Sequence, residues 1–361
     1  MDVPYPTQDK PQSKMWYSHG TYWALLPTSA GPSLWKRAAN GAWNELHDVS
    51  ASLAGLPAQA DAWYGQDTVT AVAVNGKRLS VFRIDLGPTG RQEEVKVISH
   101  HDLPMRGEFQ AIETSTIARD ASGIWWVAAD VGEQIAVWHS EDGYHWSEPQ
   151  IIAEGIHTDD ISVTFPVAGD IGVIWSDQIH ETVWFRTHRT GAPLSDWAAP
   201  EPIEQGMMTA DDHLNVVTDS EGRIWVATKN SVDEIGKPQL VMRVRETDGT
   251  WQNLPYAPLG SVWEPSRPIV VSTPEGLLTV YTMYHATDRT RSEIVAEQVN
   301  TGMTADQPTL KTLLATSDLE TKGRLNDVTG PKAPFADGAP RLVLTSDQFG
   351  NVYEMDLKGM Y

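Results

Sequence analysis

The 361-residue chain has no cysteine, which excludes a disulfide framework and thiol catalysis. No apolar run approaches the roughly 20 residues that span a bilayer, so no membrane association is expected. Positive charge is scarce: 27 Lys and Arg stand against 48 Asp and Glu, for a formal charge of −21. A phosphate backbone would be repelled at long range, and nucleic acid is not an expected partner. A local basic cluster inside such a surface can still hold an anionic polymer. The start, Met1-Asp2-Val3-Pro4-Tyr5-Pro6, lacks the basic and apolar stretches of a signal peptide. The compartment stays open, since a signal removed ahead of this segment is compatible with secretion. Long helical periodicity is missing too, because 23 Pro and 28 Gly are spread throughout.

What is present is one short strand after another. Hydrophobic residues make up 40% and charged residues 21%, enough for a large core and too apolar for a disordered chain. β-Branched and aromatic runs recur at 68–74, 123–129, 135–139, 171–175, 183–188, 224–228, 240–244, 277–284 and 341–345. Turns of Gly or Asp type precede many of them, as in Asp120-Ala121-Ser122-Gly123, Ala168-Gly169-Asp170 and Asp219-Ser220-Glu221-Gly222. A polar turn followed by Trp closes several groups, at Trp43, Trp146, Trp197 and Trp251. The 15 Trp suit packing between sheets and also sugar stacking.

The strands fall into seven units whose starts are Lys14, Asp61, Glu113, Asp160, His213, Arg267 and Asn326, spaced by 47 to 59 residues. That is the length of a four-stranded propeller blade. The expectation is an all-β, seven-bladed β-propeller, its blades four-stranded and antiparallel around a central channel, forming one domain over residues 1–361. The seventh unit is short after Tyr353. The segment 3–12 is a candidate to complete it, although Pro4, Pro6 and Pro11 remove donors.

In such a ring the starts of the first strands gather at one mouth of the channel. All seven starts are polar, and three cationic or titratable types face three carboxylates. Polar residues at strand starts are also the ordinary solvent-facing choice. Three stretches sharpen the functional reading. In Ala210-Asp211-Asp212-His213, an imidazole beside carboxylates is suited to general acid–base work, with Asp212 or Asp160 as its partner. In the fourth unit, Asp160, Trp175 and Asp177 offer carboxylates and a flat stacking surface. Paired carboxylates serve glycoside hydrolysis or bind Ca²⁺, but no D-x-D-x-D-G spacing occurs and no cofactor is expected. The cations Lys14, Lys229 and Arg267 suit a carboxylate on the substrate. Asp61, Glu113 and Asn326 complete the candidate binding set, and each has ordinary pairing as its alternative.

Ser140-Glu141-Asp142-Gly143-Tyr144-His145-Trp146 resembles the Asp-box hairpin of sialidase-like propellers, shortened by one residue. Over most of its length the chain resembles bacterial BNR-repeat, sialidase-like propellers of unestablished activity. The segments carrying this are Pro11–Tyr17, Gly172–Gln178, Ala210–Asn215 and Arg267–Val270. The resemblance implies the propeller fold, and the Asp-box is a structural turn in that family. Sialidases place three arginines around the substrate carboxylate, whereas here Arg267 is the single arginine at a unit start. Related propellers include polysaccharide lyases, which use His or Tyr as base and cations against the uronate. His213, Lys229 and Arg267 are compatible with that role.

Three readings result. The first is a carbohydrate-active enzyme, a hydrolase or lyase, acting on an acidic oligo- or polysaccharide as a monomer. The second is a lectin-like glycan binder without chemistry. The third is a protein-interaction propeller; it lacks the periodic Trp-Asp or paired-glycine signatures of the common kinds.

Overall fold

The computed structural model describes residues 1–9, 11–105, 111–299, 311–317 and 323–360. The described strands form seven antiparallel sheets, six of four strands and one of three, in simple sequence order within each sheet. This is the strand plan of a seven-bladed β-propeller, and among the described residues the one α-helix, His47–Ser52, has six residues. Among the described residues no helix is long and apolar enough to cross a membrane.

By compactness the chain divides into two units. One comprises Gln12–Trp175 and Phe185–Glu201. The other comprises Met1–Pro11, Ser176–Trp184 and Pro202–Tyr361.

In the first unit, inner strands are apolar on both faces because sheets cover both sides. Thr68–Val74 reads Thr-Val-Thr-Ala-Val-Ala-Val, and all but its first residue are buried. It pairs in unbroken register with Leu79–Asp85. Lys96–Asp102, which pairs on the other side of Leu79–Asp85, alternates exposed and half-buried positions, as a strand covered on one face does. One core joins Trp16, Trp23 and Leu34 to Ala60, Val69 and Phe82, with the short helix adding Val49. A second joins Val72 and Val81 to Ile117, Val127 and Trp138. In the second unit the corresponding core packs Trp225 and Met242 against Val270, Tyr281 and Val295.

The Asp turns act as locks. Asp219 accepts the backbone N–H groups of Glu221 at 2.9 Å and Arg223 at 3.0 Å, and the indole N–H of Trp225 at 2.8 Å. Asp120 does the same for Ser122, Ile124 and Trp126, and Asp347 for Phe349, Asn351 and the Tyr353 hydroxyl. The spacing Asp, then Gly three later and an aromatic six later, therefore ties each hairpin turn to the strand that follows it. The Asp-box hairpin is formed in the same manner, with Asp142 accepting the N–H groups of Tyr144 and His145, each at 2.8 Å.

The structure revises three strand starts. Asp61, Arg267 and Asn326 lie inside strands Gln59–Gly65, Trp263–Thr273 and Leu325–Thr329, not ahead of them. Among the described residues the N-terminal segment adds no strand to the last sheet. It is tied there by single bonds instead: Tyr5 N–H to Asp347 O at 3.0 Å and Thr7 N–H to Ser346 Oγ at 3.0 Å. Gly350, with φ +82°, makes room for this segment, since a Cβ there would lie 2.4 Å from Met1 O.

Candidate functional site

The unit containing Pro202–Tyr361 gathers five of the expected residues: His213, Asp212, Lys229, Arg267 and Asn326. His213 precedes strand Leu214–Thr218, and Lys229 ends the strand paired with it; Lys229 N–H bonds His213 O at 3.2 Å. The imidazole Nδ1 meets the carboxylates of both Asp211 and Asp212. A ring that donates from Nδ1 to a carboxylate presents Nε2 as its acceptor when it carries one proton. Ser266 Oγ lies 3.4 Å from that nitrogen. Asp211 is shared further: its other oxygen meets Lys229 Nζ and accepts from Ser231 Oγ at 3.0 Å. Asp211 and His213 are buried, whereas Asp212 is half-buried.

Arg267 reaches the cluster through a backbone irregularity. The register of its strand shifts between Ser266 and Ile269, and Arg267 sits at φ +56° just before Pro268. A non-glycine residue in the left-handed region is strained, and bulges of this kind re-aim a side chain. One guanidinium nitrogen reaches both Asp327 oxygens, at 3.0 and 3.1 Å. Burial works against the charge, but Asp327, Tyr284 and Asp212 outweigh it and hold Arg267 firmly protonated. Asn326 donates to Asp327 at 2.7 Å and accepts from the Tyr284 hydroxyl. Burial pushes that phenol up to about 12, although Arg267 and Arg324 pull the other way. Arg324 stacks on the Tyr284 ring, its guanidinium carbon 4.3 Å from the centroid.

Asp177 belongs to this unit but is spent in a turn. It accepts His180 N–H at 3.0 Å and Trp184 Nε1 at 3.1 Å and pairs with the His180 ring.

The other unit places the remaining candidates in structural contacts. Lys14 is fully buried and donates to Gln12 Oε1 at 2.7 Å. Asp61, also fully buried, accepts Ser13 N–H and Ile117 N–H, each at 2.7 Å, and so ties its own strand to a residue ahead of strand Met15–Ser18 and to strand Ser115–Arg119. Asp160 is fully buried and accepts His157 N–H at 2.7 Å. Trp175 is 3% exposed, which leaves no open face for stacking. Glu113 is half-buried, and its N–H is held by Asp130 at 2.6 Å. Burial pushes the Asp130 carboxyl up to about 7 against the pull of the Glu113 and Thr114 N–H groups.

Tyr284 and Arg324 are functional candidates that the spacing argument missed. Arg324 lies two residues ahead of the expected start at Asn326. Tyr284 closes an apolar run and gives no sign of polar work until its partners are seen.

Asp211, Asp212 and His213 bring their ligand atoms within 4.8 Å of one another, a spacing at which they could share one cation. Lys229 and Ser231 already engage Asp211 there, which does not favour a metal.

No family model matches the chain, and no curated protein does. Solved structures do. The polysaccharide lyase Uly1 aligns with a TM-score of 0.54 at 9% identity, over 96% of this chain and 89% of that one. A prolyl endopeptidase aligns at 0.53 and 12% identity, over 100% of this chain and 51% of its own, so this chain spans about half of that protein. The six-bladed lectin of Aleuria aurantia aligns at 0.50 and 10% identity, over 87% and 97%. A lyase, a peptidase and a lectin share the architecture, so the likeness establishes the propeller and leaves the activity to the site.

Proposed function

We propose that this chain is a carbohydrate-active enzyme that cleaves a glycosidic bond in an acidic glycan. The observation that carries the reading is the His213 imidazole, held at Nδ1 by Asp211 and Asp212 and presenting Nε2 beside Ser266. A base so oriented takes a proton at Nε2, and the two carboxylates stabilise the imidazolium that forms. In elimination the proton comes from the sugar carbon next to the carboxylate. The C–O bond on the adjacent carbon breaks, a C=C bond forms between that carbon and the one that lost its proton, and the leaving oxygen takes up a proton from solvent. In hydrolysis the proton comes from water that attacks the anomeric carbon, the bond from that carbon to the leaving oxygen breaks, and the leaving oxygen takes up a proton from solvent. Lys229 and Arg267 offset the carboxylates around the ring. The likeness to a polysaccharide lyase is consistent with this reading through the fold alone.

The competing reading is glycan binding without chemistry. It draws support from Ser266, whose hydroxyl already faces the nitrogen that would act as base.

A screen on neutral and uronic polysaccharides, reading reducing ends and absorbance of an unsaturated product, separates the two. Product formed by wild type and lost in His213→Ala supports the enzyme. Binding without product supports the lectin-like reading, and neither binding nor product from any polysaccharide removes both.

A further inference from the structure

We infer that Arg324 is the specificity-determining cation of this site, the group that takes the substrate's carboxylate. The inference rests on the glycan reading above and names which cation makes the substrate acidic. It follows from where each positive charge is spent. Lys229 gives its ammonium to Asp211. Arg267 gives a guanidinium nitrogen to both oxygens of buried Asp327. Lys14 is fully buried and donates to Gln12. Drawing a ligand carboxylate to Lys229 or Arg267 would set it against an anion already bound there.

Arg324 differs. It is half-buried and, among the described residues, has no carboxylate partner and no hydrogen bond; its Nε is buried and unpaired. Its guanidinium lies on the Tyr284 ring, 4.3 Å from guanidinium carbon to centroid. A guanidinium laid on an aromatic face keeps its plane while its N–H edge stays available to a planar carboxylate. The backbone on both sides is anchored: Gly323 N–H bonds Asp347 at 3.1 Å and Leu325 N–H bonds Ser292 Oγ at 2.7 Å. The group is thus an oriented donor set, not a loose surface arginine.

Arg324 also connects to the proposed chemistry. Tyr284, which it covers, donates to Asn326, Asn326 donates to Asp327, Asp327 holds Arg267, and the preceding residue Ser266 lies 3.4 Å from His213 Nε2. A carboxylate at Arg324 would be held by the same cluster that carries the base.

The test is calorimetric titration of wild type, Arg324→Gln and Arg324→Lys. The probes are short oligomers of glucuronic and of galacturonic acid and the same oligomers after carboxyl reduction to neutral sugars. Loss of one charge-assisted, two-point contact predicts about 10- to 100-fold weaker uronate binding by R324Q, with R324K in between. Neutral oligomers should bind wild type more weakly and be unaffected by R324Q. Uronate binding should weaken with added salt. A thermal unfolding midpoint close to wild type confirms that R324Q is folded. Equal affinity of wild type for uronate and neutral oligomers, or an unchanged R324Q, overturns the assignment while leaving the glycan reading standing. Failure of every oligomer to bind wild type overturns both.

Discussion

Asp211 meets His213 Nδ1 through one carboxylate oxygen while the other oxygen holds Lys229. The imidazole is therefore oriented by a group that is itself fixed. His213→Ala should lower turnover on a cleavable polysaccharide by about 100-fold or more while leaving the Asp211–Lys229 pair intact. Asp211→Asn should lower kcat more than it raises KM, because it disturbs the proton position on the ring more than the binding surface. Initial-rate kinetics on both variants check this, and a rate unchanged in His213→Ala would remove the residue from the mechanism.

The Arg267–Asp327 pair sets buried charge against backbone strain. Arg267→Gly relieves the positive φ but leaves Asp327, 1% exposed, without its cation. Removing one member of a buried pair costs about 3 kcal/mol, and the partial exposure of Arg267 argues for somewhat less. Urea unfolding should show the loss. The double variant Arg267→Gly, Asp327→Asn should recover part of it, because no unpaired charge then remains.

Acid should loosen the Asp turns. Burial tends to raise Asp219, but the Trp225 and Arg223 hydrogen bonds outweigh it and hold the carboxyl below its ordinary value. A lowered folded pKa means that the stabilisation is complete above the unfolded value of about 4 and is lost as pH falls through the folded one. Asp347 is lowered too, with Asn351 and Tyr353 overcoming burial. Asp219→Asn should cost about 1 kcal/mol at pH 7 and flatten the decline in stability below pH 4, measured by urea midpoints from pH 7 to 3.

Gly350→Ala should detach the N-terminal segment. The new Cβ would strike Met1 O and Val3 O, at a φ that L-residues avoid, for a cost of about 1–3 kcal/mol. Faster proteolytic cleavage within the first nine residues than in wild type would show it.

The fold was legible in the sequence because its signals are local. Thr68–Val74 has the bounds read from its β-branched run, and the turn residues ahead of Trp126 and Trp225 stand where hairpins need them. The site was legible only around His213, where consecutive residues supply the partners. Asp61 and Lys14 look like site residues in a string of letters, yet their burial depends on strands far away in sequence. Asp177 reads as a free carboxylate until His180 and Trp184 fold onto it. Arg324 was invisible for the opposite reason: among the described residues its distinction is to lack a carboxylate partner where Lys229 and Arg267 each hold one, and only the fold shows that.

The left-handed backbone at Arg267 leaves position 267 with two incompatible optima. Glycine relaxes the main chain, and arginine satisfies Asp327; no single amino acid does both. Because an unpaired Asp327 costs more than the relieved strain returns, a library randomised at 267 alone and sorted for heat resistance should keep arginine, and one randomised at 327 as well should admit glycine. The gap between the two outcomes would report how much of the protein's sturdiness is surrendered at that one bend.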